Sequence, residues 1–244
     1  MSKNKMLDFT PNYANIVEID VNPNGDKPDW AYALEGIEEC TPDSEETTEE
    51  MDTFEMLGGT EKVVTKVKPS LTMTGKRKHG SKAQDFIQSR ALKTSTDRKT
   101  NYRWTYPDGT RLTGICTLAD LKPGSGMGKS SDNSAFSYKM DLNTWEEDIT
   151  NRSSIMPEAV TAKDVTVKVG ATANVETTIT PDNTNPYCHY FIEDDEIATV
   201  NSDGVVTGVA EGETTMTIKC AAKPSIVTQV KVTVTAAAVA ASTK

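Results

Sequence analysis

Between Glu61 and Leu92 the chain reads EKVVTKVKPSLTMTGKRKHGSKAQDFIQSRAL, and no other stretch restricts the fold as much. Val63, Thr65, Val67, Leu71 and Met73 alternate with Lys62, Lys66, Lys68, Ser70, Thr72 and Thr74. A period of two puts the apolar set on one face of a long strand and the lysines on the other. Pro69 sits among the apolar positions and has no N–H for a ladder bond, so this part of the strand is expected at an edge or beside a bulge. The run Gly75-Lys-Arg-Lys-His-Gly80 ends the strand. Ser81 then opens a helix, with Gln84 three residues on in capping-box spacing, and Ala83, Phe86, Ile87 and Arg90 to Leu92 give it a short amphipathic face. One basic strand leading into one short helix, in a chain otherwise written as strands, predicts a subunit that assembles through its sheets.

The flanking sequence is read in the same way. Asn15 to Val21 and Trp30 to Ile37 are expected strands, separated by the dense turn signal Asn22-Pro-Asn-Gly-Asp-Lys-Pro28. A long acidic segment follows: Glu38, Glu39, Asp43, Glu45, Glu46, Glu49, Glu50, Asp52 and Glu55. Such a run cannot bury itself and is expected as a solvated loop or an arm. Met51, Phe54, Met56 and Leu57 punctuate it, which gives an arm an apolar grip on another subunit. After the helix, residues 93–100 are expected to link to a hairpin: Tyr102, Trp104 and Tyr106, the turn Pro107-Asp108-Gly109, then Leu112, Gly114, Cys116 and Leu118. Phe136, Tyr138, Met140 and Leu142 alternate as one more half-buried strand.

Residues 146–161 are polar and aperiodic and are expected as a linker. From Ala162 onward Val and Thr rise and short strands recur: Val165, Val167, Val169; Ala173, Val175, Thr177, Ile179; Met216, Ile218, Cys220; Val230, Val232, Val234. This spacing predicts a small β-sandwich. The expected division is 1–150 for a first domain, 151–162 for the linker, 163–235 for the sandwich and 236–244 for a loose tail. The fold class is all-β with one short flanking helix.

Charge and composition exclude several functions. The 244 residues carry a formal charge of −10, with a pI near 4.8, so a protein that coats nucleic acid is ruled against by repulsion from phosphate. No stretch approaches the ~20 apolar residues a membrane span needs. Met1 to Asp8 contains no apolar signal core, so synthesis in a cytoplasm is expected. Cys40, Cys116, Cys188 and Cys220 have neither CxxC nor zinc spacing and are expected as reduced thiols. Gly124-Ser-Gly-Met-Gly128-Lys129-Ser130 looks like a phosphate loop, but Pro123 stands where the first glycine belongs and no helix signal follows. His79 and His189 lie in different expected domains, so no catalytic triad can be assembled. Asp194, Asp195, Glu196 and Asp203 lack the ordered spacing of a calcium loop. No enzyme, cofactor or metal site is therefore expected. The lysines near 62–78 could meet nucleic acid; with the acidic run close by, charge pairing between subunits is the favoured reading.

In the second region the residues DVTVKVGATANVETTITPDN, IATVNSDGVVTGVAEGETTMTI and VTQVKVTV resemble the bacterial Ig-like domain of group 2, with Tyr190 where that family often has Trp. The first region is similar to the major tail proteins of long-tailed bacteriophages. The similarity lies in the order of the W…LEGI strand, the acidic segment ending Leu57-Gly58-Gly59, SLTMTGKRKHGSKAQDFI, YRWTYPDGTRLTGICTL and AFSYKMDL. These resemblances imply a tail tube subunit of the virion, a β-sandwich whose six copies close a ring and whose rings stack into a conduit for the genome, carrying an Ig-like domain on its surface. They imply partners as well: further copies of the chain, tape measure and tail terminator proteins, DNA in transit, and host surface glycans at the Ig-like domain. The assembly residues expected are Glu45, Glu46, Glu49, Glu50, Met51, Phe54, Met56 and Leu57 on the acidic arm. Lys66, Lys68, Lys76 and Arg77 are their expected basic counterpart. The competing reading is a bacterial surface adhesin that binds ligand through its Ig-like domain.

Overall fold

The computed structural model describes residues 6–7, 10–52, 54–57, 59–122 and 134–237. In chain order its strands are β1 (Ile16–Asp20), β2 (Trp30–Tyr32), β3 (Ile37–Met51), β4 (Glu61–Lys76), β5 (Lys99–Thr105), β6 (Arg111–Ala119), β7 (Ala135–Leu142), β8 (Glu146–Asp148), β9 (Ala159–Ala162), β10 (Val165–Lys168), β11 (Thr172–Asn174), β12 (Thr177–Thr180), β13 (Cys188–Ile192), β14 (Ala198–Val200), β15 (Val205–Gly208), β16 (Gly212–Cys220) and β17 (Val227–Thr235). Helix α1 (Lys82–Ser89) is the one α-helix among the described residues. Two compact units divide the chain. One takes Glu18–Arg103 and Thr113–Glu146; the other takes Met1–Val17, Trp104–Leu112 and Glu147–Lys244. All-β architecture with a single short helix is what the alternating runs predicted.

The larger sheet runs in the order β2-β1-β5-β6-β7-β4-β3. Leu71 and Met73 of β4 and Tyr138 and Met140 of β7 are buried together, as the period-two pattern requires. Upstream, the expected alternation of β4 fails. Between Thr47 and Thr48 the register slips so that Thr65 is an extra residue, and Val64 and Val67 are exposed. Pro69 marks the boundary. It faces Ser44 of β3, while pairing with β7 begins only at Ser70. The missing N–H thus falls where β4 loses its second neighbour, as an edge proline should. A further slip near Glu38 has a steric correlate at Gly75, where a Cβ would lie 2.3 Å from the Gly36 carbonyl.

Polar groups inside this unit are matched one by one. Glu18 and Arg103, both buried, form a two-pronged ion pair with Arg103 Nη2 at 3.1 Å from Glu18 Oε1, and the Trp30 ring lies 4.6 Å from the guanidinium. Asp20 accepts from the Asn22 and Asp29 N–H groups, each at 2.9 Å, and so closes the turn between β1 and β2. The capping box is half formed. Ser81 Oγ accepts from the Gln84 N–H at 3.5 Å, but the Gln84 side chain does not reach back to Ser81. Instead its amide donates to the carbonyls of Glu35 and Lys76 and accepts from the Lys78 N–H, tying α1 to the end of β4.

In the other unit β10, β17, β16 and β13 form one sheet, with β10 parallel to β17, and β11-β15-β14 and β12-β9 form two smaller ones. Val165, Val167, Met216, Ile218, Val230, Val232 and Val234 bring the alternating faces into one core. Tyr190, in the position expected to replace Trp, packs against that core. Its ring lies over Gly204, where φ is +75° and a Cβ would sit 2.9 Å from Tyr190 Cζ, so glycine answers both backbone and packing. Two expectations need correction. Residues 146–161 are not a plain linker, because β8 lies within them and β9 pairs with β12, burying Val160. Nor is Trp30 to Ile37 one strand: β2 ends at Tyr32 and a turn follows.

Glu18→Gln should lower stability by about 3–5 kcal/mol, because it removes one partner of a buried, two-pronged ion pair. Urea unfolding should show an earlier midpoint with an unchanged slope; an unmoved midpoint would refute this account. A pH effect follows from His189, which burial, with the Lys219 charge, pulls from 6.5 down to about 4. The unfolded chain binds this proton more readily, so stability is full above pH 6.5 and falls as pH drops toward 4, by about 3 kcal/mol in all. His189→Gln should flatten that segment of the stability–pH curve.

Candidate assembly surface: a charged ribbon and a polar sheet face

The acidic segment is a strand, not a loop. β3 pairs with β4 over its whole length, from Ile37 opposite Gly75 to Met51 opposite Glu61. Solvation of a strand on both faces satisfies carboxylates as well as a loop would, and the ladder satisfies the backbone. Beyond Pro69 and Ser44 the two strands form a ribbon whose residues are nearly all exposed. A short turn of 3₁₀ helix, Phe54–Met56, lies between them.

The expected assembly residues fall into distinct environments on this ribbon. Glu45 and Lys68 are cross-strand partners joined at 2.9 Å, and the lysine's hydrogen bond and charge hold the Glu45 carboxyl below its ordinary value. Lys66 faces Thr47 and Glu50 faces Lys62, whereas Glu46 and Glu49 face Val67 and Val63. Met51 is exposed, and Phe54 and Leu57 are fully so. The side chain of Met56 lies outside the described residues. Lys76 is exposed opposite Ala135 at the far end of β4. Arg77 does not belong with this set. Its guanidinium turns inward, pairs with Asp85, donates to Gln84 Oε1 at 3.2 Å and lies over Phe136, leaving the side chain 6% exposed.

A second surface lies on the sheet itself. The face of the sheet opposite the core carries three rows across β3, β4 and β7: Glu39–Thr74–Ser137, Thr41–Thr72–Lys139 and Asp43–Ser70–Asp141. Lys139 bonds Asp141 at 3.2 Å, which raises its proton affinity, and the charges of Asp120 and Asp43 add to the rise. The face is polar throughout, and carboxylates outnumber the one lysine in these rows. Its sequence signal is the alternation Glu39, Thr41, Asp43 in phase with Thr72 and Thr74, readable only once the two strands are known to be paired.

Among the described residues no three His, Cys, Asp or Glu side chains converge as metal ligands, and no helix is long and apolar enough to cross a membrane. His79 is exposed, whereas His189 is buried in β13. The glycine-rich residues 124–130 and the tail from 238 lie outside the described residues.

Comparison with characterised proteins finds no sequence relative. Among solved structures the chain is similar to the tail of an empty gene transfer agent particle refined with C6 symmetry, with a TM-score of 0.47 and 10% identity over 57% of this chain and 99% of that one. It is similar also to the tube-terminating cap of the anti-feeding prophage, with a TM-score of 0.39 and 13% identity over 60% of this chain and 96% of that one. A third is the sheath/tube terminator of an extracellular contractile injection system, with a TM-score of 0.40 and 11% identity over 57% of this chain and 96% of that one. Residues 155–223 match the family profile of the bacterial Ig-like domain (group 2).

Proposed function

We propose that the chain is a non-enzymatic structural subunit of a phage-type tail tube. Six copies close a ring, rings stack into a conduit through which the genome leaves, and the Ig-like domain is displayed at the surface of the virion tail. The observation that carries this reading is the ribbon of β3 and β4. It ends in Phe54 and Leu57, both fully exposed, and the long strand β3 borders the sheet with one edge unpaired among the described strands. In a monomer an unpaired edge and bare aromatic and aliphatic side chains invite aggregation. In a closed ring the same groups are covered by neighbouring copies, and closure limits growth.

The polar face supports the same reading. Turned toward the lumen, Glu39, Asp43 and Asp141 would repel phosphate and let DNA pass without adhering. By the same resemblance tape measure and terminator proteins meet the tube, and host glycans are the ligand class expected for the Ig-like domain. The ribbon's role is to seat on a copy in the adjacent ring, through Met51, Phe54 and Leu57, with Glu46 and Glu49 meeting cations of that copy.

Negative-stain microscopy of the purified chain is the decisive experiment. Rings or tubes are expected; a dispersed monomer at high concentration would favour the adhesin instead. Phe54→Ala should weaken assembly at every salt concentration. Exposed ion pairs contribute only ~0–1 kcal/mol each, so replacing Glu45, Glu46, Glu49 and Glu50 by Gln should alter assembly mainly at low salt. Hydrogen exchange should find the amides of 54–57 unprotected in the free subunit and protected in the tube. Equal exchange in both states would mean that the ribbon tip takes no part.

A further inference from the structure

Two of the four cysteines lie side by side in the Ig-like unit. Cys188 opens β13, Cys220 closes β16, and they are direct partners in the antiparallel register. The neighbouring bonds define the kind of pair. The Ala221 N–H donates to the Tyr187 carbonyl at 2.9 Å, while the Cys220 N–H turns to the other neighbour and donates to Ile226 O at 3.1 Å. Cys188 and Cys220 are therefore a non-hydrogen-bonded pair, the type whose side chains approach most closely, with Cα atoms about 4.5 Å apart. That spacing falls within the ~4.4–6.8 Å range that a disulfide spans. Both side chains point to the same face and belong to one core cluster. Cys40 and Cys116 have no such partner: they face Met73 and Leu142.

We propose that Cys188 and Cys220 form an oxidative modification site that closes into one intradomain disulfide, with a small peroxide as oxidant. All four thiols are free in the structure. Cys220 is the attacking sulfur. The Cys188 S–H donates to it, which holds the Cys220 thiol below its ordinary value and pushes Cys188 up, a rise to which burial adds. The Cys220 thiolate takes one oxygen of the peroxide as the O–O bond breaks, giving a sulfenic acid and releasing hydroxide. Cys188 sulfur then attacks Cys220 sulfur, the S–O bond breaks and a second hydroxide leaves. The two thiol protons and the two hydroxides make two waters, and the two electrons lost by the sulfurs are those gained by the peroxide. Access comes through β13, the edge strand of its sheet, which has β16 as its only sheet neighbour among the described strands.

The test uses the folded full chain, reduced, freed of reductant, exposed to hydrogen peroxide, quenched, then unfolded in an alkylating reagent and mapped by mass spectrometry. The expected result is a peptide pair joined through Cys188 and Cys220 in nearly every molecule, with Cys40 and Cys116 alkylated. In Cys188→Ser the joined pair should vanish and Cys220 should be trapped by dimedone as its sulfenic acid. Alkylation of both Cys188 and Cys220, their over-oxidation without joining, or joining of either to Cys40 or Cys116 would overturn the proposal. The unaltered chain decides the matter even where the serine variant does not fold.

Discussion

The larger sheet depends on how many neighbours β4 has along its length. From Ser70 to Gly75 it is held on both edges, by β3 and β7, and there Leu71 and Met73 reach the core. From Pro69 back to Glu61 only β3 remains, and the same strand becomes one half of a solvated ribbon. Proline makes the change of state inexpensive: it forgoes a ladder bond on a strand whose second edge has just lost its partner. One residue thereby separates a segment fixed by burial from a segment free to serve as an arm.

The interior end of the same sheet is organised by polar groups rather than by apolar volume. Glu18 with Arg103, Asp20 with the turn beyond β1, and Gln84 with two separate backbone segments each place a buried group among partners that use its bonding capacity. In a low-dielectric interior such groups are costly alone and directional when matched, so they fix which strand end meets which turn. The aliphatic core supplies most of the burial, but it does not by itself distinguish these arrangements.

Period-two alternation made the strands around Leu71, Tyr102, Cys116, Tyr138 and the Ig-like valines legible, because one face of each is buried and the pattern records it. It failed for β3. A strand solvated on both faces has no apolar period, and the carboxylates that suggested a loop are compatible with a ladder whose partner carries Lys62, Lys66 and Lys68. The bulge at Thr65 was hidden for the same reason. Arg77 was misplaced because its inward turn depends on Gln84 and Asp85, seven and eight residues on in α1, and on Phe136, distant in sequence. The polar rows on the sheet face involve three strands, so no local window contains them.

Charge on the ribbon divides into two populations, and the division bears on what the surface can recognise. Lys68 is already taken by Glu45 of its own chain. Glu50 and Lys62 stand opposite each other, so those charges are largely cancelled at a distance. Glu46 and Glu49 face valines instead, and no ion pair engages them among the described residues. Self-pairing thus leaves the acidic strand with a net excess, close to exposed Val64, Val67 and Met51. A surface of this kind selects a partner that is basic and apolar together. Rim charges set register and encounter rate while buried apolar contacts set dissociation. Unpaired carboxylates on the outer strand also repel a second acidic edge, so a misaligned copy pairing β3 against β3 is disfavoured, which is the condition under which an open edge can persist in a free subunit without aggregating.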